Sequence, residues 1–183
     1  MKKIIMIAIM FLCVLTSCKN RENKTPEDNV ETKEVLSVDK FTVVLRGIIT
    51  KDDNFQVFYT EYEGDVHTEA KSVVAKVFPS DDEQDITFEL PKKVYPMNLR
   101  IDLGNNIKQE SITINELIFK YKKGDYRINS KELNKYFTFN KGIEMLSDSI
   151  TFKLKPISYQ GIEKHDPYMV GNKSFIDMLT VEL

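Results

Sequence analysis

An arginine and an aspartate two residues apart, Arg100 and Asp102, are the pair whose types and spacing best suit a polar ligand. They lie in the alternating run 98–103, and side chains two apart on a strand share a face. A guanidinium and a carboxylate on one face could hydrogen-bond the hydroxyls of a sugar, with Asn105 in the following turn as a third contact. The alternative is structural: Arg100 would pair with an acid across the sheet and anchor the turn at Gly104.

Tyrosine rings are a second class of candidate ligand contacts, because an aromatic ring buries a large area and offers a polarised face to sugar C–H bonds. The sequence places candidates at Tyr95, Tyr126 and Tyr168, beside Tyr59 and Tyr62. Tyrosines at strand ends also occur as half-buried packing residues, so each of these rings has a structural alternative.

Metal and catalytic chemistry have less support. Acidic residues in predicted loops could offer oxygen ligands to Ca²⁺. Because these acids lack the spaced Asp/Asn-Gly pattern of a calcium-binding loop, we predict solvated turns instead, at Asp52, Asp53, Asp81, Asp82 and Asp85. His67 and His165 are the two histidines, and no zinc motif accompanies them. His165 is predicted to form a loop hydrogen bond with Asp166. With no nucleophile elbow or phosphate loop, we expect no catalytic residue, metal or cofactor; a carboxylate pair for glycoside hydrolysis stays open.

The two cysteines, Cys13 and Cys18, stand near the start of the 183-residue chain. Residues 1–17 begin with Lys2 and Lys3 and continue as an apolar run, which predicts a cleaved secretory leader rather than a membrane-spanning helix. Without the leader the 26 basic residues fall to 24 against 28 acidic ones. A net charge near −4 argues against a nucleic-acid partner.

The leader ends in Leu15-Thr16-Ser17-Cys18, which resembles the lipobox of bacterial lipoproteins, of the kind found in Bacteroidota. The resemblance implies that the Cys18 sulfur carries a diacylglyceryl group, that the leader is cut before it, and that the new amine is acylated, by palmitate for instance. It also implies an envelope location, with the outer membrane favoured because Lys19 rather than an aspartate follows. The membrane face stays open, and so does a plain cleaved signal with an incidental cysteine.

The rest of the chain divides in two. Residues 18–39 are polar and charged and predict a flexible tether. Residues 40–183 alternate in apolar and polar positions, with turn signals between short runs, and predict an all-β sandwich of jelly-roll type with about eight or nine strands. The runs 41–49 and 55–60 are predicted to form a hairpin, and 112–119 is predicted to form a strand with a bulge near Asn115 and Glu116. Residues 129–137 are predicted to form a short helix capped by Asn129 or Ser130. The run 175–183 is predicted to form a closing strand.

Four short stretches resemble β-sandwich modules of bacterial lipoproteins and of some membrane proteins of glycan assembly: Phe88-Glu89-Leu90-Pro91, the run from Leu99 to Asn106, Ile112-Thr113-Ile114 and His165-Asp166-Pro167-Tyr168. The resemblance extends to carbohydrate-binding and galactose-binding-like domains, and it implies a glycan ligand. Such modules often use exposed tryptophan, and this chain contains none.

The sequence therefore favours a lipid-anchored, non-catalytic module that binds a glycan or an envelope partner protein. Two alternatives remain open. One is a structural or assembly lipoprotein that docks on an outer-membrane protein complex, and the other is an envelope hydrolase that uses a carboxylate pair.

Overall fold

The alternating runs form strands that pair into two antiparallel sheets. The computed structural model describes residues 40–122 and 124–181. The predicted leader, Cys18 and the predicted tether lie outside these residues. The strands described are β1 Thr42–Ile48, β2 Asp53–Thr60, β3 Ser72–Val77, β4 Gln84–Glu89, β5 Asn98–Asp102, β6 Ser111–Tyr121, β7 Gly124–Asn129, β8 Phe137–Phe139, β9 Ile143–Met145, β10 Thr151–Leu154, β11 Ile157–Tyr159, β12 Ile162–Lys164 and β13 Tyr168–Gly171. Two α-helices, α1 Leu133–Tyr136 and α2 Lys173–Val181, and two 3-10 turns, Glu69–Lys71 and Ser130–Glu132, complete the described elements.

Sheet 1 has the strand order β4-β1-β6-β10-β9, with β7 also paired to β6, and sheet 2 has the order β3-β2-β5-β13-β8. Strands β11 and β12 form a separate hairpin. Nine of the thirteen described strands have at least four residues, and the other four have three. The predicted all-β sandwich is confirmed.

The chain crosses between the sheets along paired ribbons, which is the jelly-roll type of connection. A ribbon here is a pair of consecutive strands, one in each sheet; in the first, β1 lies in sheet 1 and β2 in sheet 2. The ribbon β3–β4 flanks it on one side, since β3 pairs with β2 and β4 with β1. The ribbon β5–β6 flanks it on the other, since β5 pairs with β2 and β6 with β1. The predicted hairpin of the first two runs is therefore wrong. The polar residues 51–54 lead from one sheet to the other, and β2 forms its hairpin with β3.

The inward positions of the strands form one core, as their alternation predicts. Leu99, Ile101 and Leu103 of the β5 region are fully buried, and Phe88 and Leu90 of the β4 region lie in the same cluster. The predicted bulge is confirmed as well. Arg46 of β1 pairs with Glu116 and the next residue, Gly47, pairs with Ile114, so Asn115 is the extra residue of β6.

The prediction of a closing strand at 175–183 is wrong, because residues 173–181 form helix α2. Its buried residues are Phe175, Met178 and Leu179, which repeat at helical spacing. Asn172 begins the helix, since its side chain accepts the backbone N–H of Ser174 at 2.9 Å. The Phe175 ring lies 5.2 Å from the Phe119 ring and 4.7 Å from the Phe137 ring, which joins the helix to the core.

The predicted short helix near residue 130 is confirmed, and Asn129 is its cap: its side chain accepts the N–H of Lys131. Leu133 and Tyr136 are its buried residues. Among the residues described, no helix has the length and apolar character needed to cross a bilayer.

Candidate functional site

The outer face of sheet 2 carries polar side chains at its centre. Gln56 pairs with Asp102 and Phe58 with Arg100 across β2 and β5. On the other side of β5, Tyr168 of β13 pairs with Asp102. Since directly paired residues project to the same face, all five side chains share it. The inward residues that alternate with them, such as Ile101, hold this face in place from the core.

Arg100 and Asp102 form a two-bond ion pair along their own strand. The Nε and Nη2 atoms of Arg100 donate to the two carboxylate oxygens of Asp102, each at 2.7 Å. Nη2 also lies 3.4 Å from an Asp166 oxygen. The guanidinium carbon lies 3.8 Å from the centre of the Tyr168 ring and 5.2 Å from that of Phe58. The planar cation is thus fixed from its edge by carboxylates and from its face by aromatic rings.

Burial changes the acidity of this pair. The side chain of Asp102 is only 15% exposed. Burial raises the pKa of Asp102 to about 6, because removal of water disfavours the charged carboxylate. The Arg100 hydrogen bonds oppose this shift, while the negative charges of Asp166 and Glu69 add to it.

The segment 61–71 forms one wall of the site. Gln56 Nε2 donates to Glu69 at 2.8 Å and ties the segment to β2. Asp65 braces it from within, since it accepts the N–H groups of Glu61 and Tyr62 and receives Lys71 Nζ at 3.0 Å. These bonds hold Glu69 and its neighbours over the sheet face.

His67 belongs to the same wall. Burial lowers the pKa of its imidazole, and the nearby positive charge of Arg100 lowers it further. Its Nε2 atom is buried, and none of the described residues hydrogen-bonds it. His67 is therefore neutral at neutral pH and adds no positive charge to the site.

The turn after β5 forms the end of the site, and Asp53 holds it. The Asp53 carboxylate accepts the backbone N–H groups of Asn105 at 3.0 Å and Asn106 at 3.1 Å. Gly104, which precedes Asn105, has a φ of +90°, and a Cβ there would overlap the Asp53 carboxylate. The glycine and the buried acid together fix where Asn105 stands.

The sheet face, the 61–71 segment and the turn after β5 line a polar cavity of about 470 Å³ that is open to solvent. Its lining combines the ion pair and the acids with amide and hydroxyl groups: Asn54, Gln56, Phe58, His67, Thr68, Glu69, Arg100, Asp102, Gly104, Asn105 and Asp166. Asn54 and Asn105 are solvent-exposed residues, and their side chains carry amide groups that can hydrogen-bond a ligand. The size and the number of polar groups suit a small hydroxylated molecule.

The structure brings Arg100, Asp102 and Asn105 together in this cavity and places Tyr168 under Arg100. The Tyr168 face is covered by the guanidinium, so the ring supports the cation and does not offer that face to a sugar. Tyr95 and Tyr126 lie elsewhere.

The Tyr95 ring lines a second cavity of about 410 Å³ beside α2, and its hydroxyl donates to the Leu179 carbonyl. Tyr126, in sheet 1, has its hydroxyl 2.9 Å from that of Tyr136. The candidate tyrosines therefore occupy three separate places.

Several local expectations were wrong. Arg100 makes its shortest bonds to Asp102 on its own strand and a longer one to Asp166 beside the neighbouring strand β13, and Asp53 rather than Arg100 anchors the Gly104 turn. Asp85 lies on β4 instead of in a loop, and Asp53 is buried at the start of β2 instead of in a solvated turn. Neither nitrogen of His165 is hydrogen-bonded by a described residue, so the predicted bond to Asp166 is not formed there. No group of three or more metal-ligating side chains is found within residues 40–122 and 124–181.

Sequence reasoning did not single out Asn54, Gln56, Phe58 or Glu69 as part of this site. Gln56 and Phe58 alternate with the buried Phe55 and Val57, which could have placed them on an outer face. Their neighbour β5 could not be identified, because the wrong hairpin assigned β2 to a different partner.

Comparison with known proteins finds no family model, curated protein or solved structure that matches this chain.

Proposed function

We propose that the chain is a non-catalytic binding module, lipid-anchored in the cell envelope, that holds a hydroxyl-rich ligand such as a glycan in the sheet 2 cavity. The observation that carries this proposal is the fixed Arg100–Asp102 pair at the base of a cavity whose rim bears exposed amides. A rigid base with adaptable rim donors and acceptors is what binding of hydroxyl groups requires.

The binding half is tested with a glycan array and calorimetry on the full-length chain, held in a detergent without a sugar headgroup. Asn54→Ala combined with Asn105→Ala removes two rim amides without touching the ion pair. We expect this double variant to bind at least tenfold more weakly, from the loss of two hydrogen bonds of about 1 kcal/mol each.

The matched control is Asn134→Ala, an exposed asparagine on α1 outside the lining of the cavity. We expect it to bind as the unchanged chain does. A silent array, or a glycan that binds the double variant unchanged, contradicts the proposal.

The anchoring half rests on the lipobox resemblance at Cys18. Growth with an alkyne-tagged palmitate should label the unchanged protein and leave Cys18→Ser unlabelled. Cys18→Ser should also appear in the soluble or leader-bearing fraction. Lipid label that persists on Cys18→Ser rules out this anchor.

A second function, glycoside hydrolysis, is favoured by one observation. Asp102 and Asp166 both contact Arg100 Nη2, and the pKa of Asp102 is raised to about 6, as in carboxylates that act as acids. Against it, both Asp102 oxygens are engaged by Arg100 and are poorly placed to exchange a proton with a substrate. Turnover of a bound glycan that disappears in Asp166→Asn would favour the hydrolase.

A further inference from the structure

The charges that line the sheet 2 cavity are unequal. It contains three carboxylates, Glu69, Asp102 and Asp166, and one guanidinium, Arg100. Asp102 balances Arg100 through its two hydrogen bonds. Two negative charges remain, and none of the lysines that the structure describes lines the cavity to offset them.

Three other titratable groups near the cavity do not reverse the sign. Lys76 pairs with Asn54, but it lies outside the described lining of the cavity and its Nζ is over the Phe78 ring. His67 is neutral because its imidazole is buried beside Arg100. Asp53, under the Gly104 turn, adds a further carboxylate close to the cavity, although its oxygens accept backbone N–H groups. A concave site with one sign of charge attracts ligands of the opposite sign.

The two remaining carboxylates stand on opposite sides of the ion pair. Glu69 is tied to Gln56 of β2, and Asp166 is two residues before Tyr168 at the start of β13. Strands β2 and β13 flank β5 on its two sides. Glu69 uses Oε2 and Asp166 uses Oδ1 in the hydrogen bonds to their neighbours, and no described residue donates to the other oxygen of either acid.

From this arrangement we infer that the ligand carries a protonated amine, as in a sugar with a free amino group, and that Glu69 and Asp166 recognise it. The inference rests on the proposed function and specifies the ligand class for the same cavity. The amine donates to the free carboxylate oxygens, while the hydroxyl groups of the ligand meet Asn54 and Asn105. An anionic sugar would enter a cavity that is already negative and would be repelled.

The test uses three β-1,4-linked oligosaccharides. The glucosamine and N-acetylglucosamine oligomers differ only at the nitrogen on C2, and the glucuronate oligomer has a hydroxyl group at C2 and a carboxylate at C6. Calorimetry on the full-length chain at pH 7 measures each affinity. We expect the free-amine oligomer to bind about tenfold more tightly than the acetylated one, the size of a hydrogen bond to a charged group. The glucuronate oligomer should bind most weakly.

Substitutions at the two acids test whether they cause the preference for the free-amine oligomer. Glu69→Gln and Asp166→Asn should each weaken binding of the free-amine oligomer several-fold and weaken binding of the acetylated oligomer by a smaller factor. Glu163→Gln, at an exposed glutamate of β12 outside the cavity lining, is the matched control and should change neither affinity.

The outcomes separate this inference from the proposed function. Equal or tighter binding of the acetylated or glucuronate oligomer, sensitive to Asn54→Ala and Asn105→Ala, overturns the amine preference and leaves glycan binding standing. Amine binding that Glu69→Gln and Asp166→Asn do not affect overturns the assignment to these acids. If neither this series nor the wider array gives any binding, both proposals fail.

Discussion

Two arginine–aspartate pairs lie on the two outer faces of the sandwich, and their local geometry is nearly the same. On sheet 1, Arg46 donates from Nε and Nη2 to the two oxygens of Asp85 at 2.7 and 3.0 Å. On sheet 2, Arg100 makes the same two bonds to Asp102, both at 2.7 Å. Yet the pKa of Asp85 is lowered by its Arg46 hydrogen bonds, whereas burial raises the pKa of Asp102 to about 6.

The surroundings of the pairs account for this difference. Asp85 is 47% exposed, and its arginine also bonds Glu116 at 2.7 Å, which in turn accepts from Arg127. Charges on sheet 1 thus alternate in sign and face solvent. On sheet 2 the pair lies on aromatic rings beneath the 61–71 segment and beside two more acids. The comparison shows that pairing geometry does not set the ionisation of a carboxylate when solvent access differs.

The largest expected effect comes from removing one acid at a time. Asp102→Ala removes an acid that is 15% exposed and leaves Arg100 with the 3.4 Å contact to Asp166, so it should lower the free energy of unfolding by about 3 kcal/mol. Asp85→Ala removes an acid that is 47% exposed and leaves Arg46 its 2.7 Å bond to Glu116, so its effect should be much smaller. Urea unfolding of both variants measures the contrast, and equal losses would show that the two faces are energetically alike.

The ring beneath Arg100 should contribute next. Tyr168→Leu removes the aromatic face and should lower the free energy of unfolding by about 1 kcal/mol through the lost cation–π contact. Tyr168→Phe keeps the face and should retain most of the stability, so it is the control for ring volume and the hydroxyl. If Tyr168→Phe were as damaging as Tyr168→Leu, the hydroxyl rather than the ring would hold the arginine.

The pH dependence of stability should have opposite signs at the two acids. The folded chain keeps the Asp102 proton up to about pH 6, but the unfolded chain releases it near 3.8. The proton-linked contribution of Asp102 to stability is therefore complete below pH 3.8 and is lost as the pH rises to about 6. That of Asp85 is present above pH 3.8 and is lost as the pH falls through its lowered folded pKa.

Carboxyl-carbon NMR titration reads the two pKa values directly, and urea unfolding of Asp102→Asn and Asp85→Asn across pH 3 to 7 reads their contributions. Asp102 should titrate near pH 6 and Asp85 below its ordinary value. Two titrations at the same pH would remove the distinction between the faces.

Added salt should produce the smallest difference between the two ion pairs. Raising NaCl from about 0.05 to 0.5 M screens exposed charges more than covered ones. A double-mutant cycle on Arg46 and Asp85 should therefore lose most of its coupling free energy, while a cycle on Arg100 and Asp102 keeps its value. Equal loss in both cycles would mean that solvent reaches the two pairs equally.

The sequence predicted much of the sheet structure because strand alternation is a local property. Leu99, Ile101 and Leu103 alternate with polar residues and are all buried, and the phase slip at Asn115 is the observed bulge. The wrong prediction of a closing strand also has a local cause. The 175–183 run contains apolar residues at both strand and helix spacing. In the structure Asn172 caps a helix whose buried residues Phe175, Met178 and Leu179 follow the helix spacing.

The candidate site was only partly predictable, because its residues come from four separate segments. Arg100, Asp102 and Asn105 belong to one stretch of chain and were identified together. Glu69 and Asp166 reach the cavity through the pairing of β2 and β13 with β5, which depends on the order of strands in the sheet. That order results from how the whole core is buried and leaves no mark in local spacing.

The sequence alone determined that Arg100 and Asp102 share a strand face, since a period of two follows from strand geometry. It also determined which positions turn inward to form the core. Only the tertiary structure decided that this face is covered by the 61–71 segment, underlain by Tyr168 and surrounded by further acids. Solvent access and neighbouring charge are properties of the folded chain, and they separate the cavity on sheet 2 from the exposed ion pairs on sheet 1.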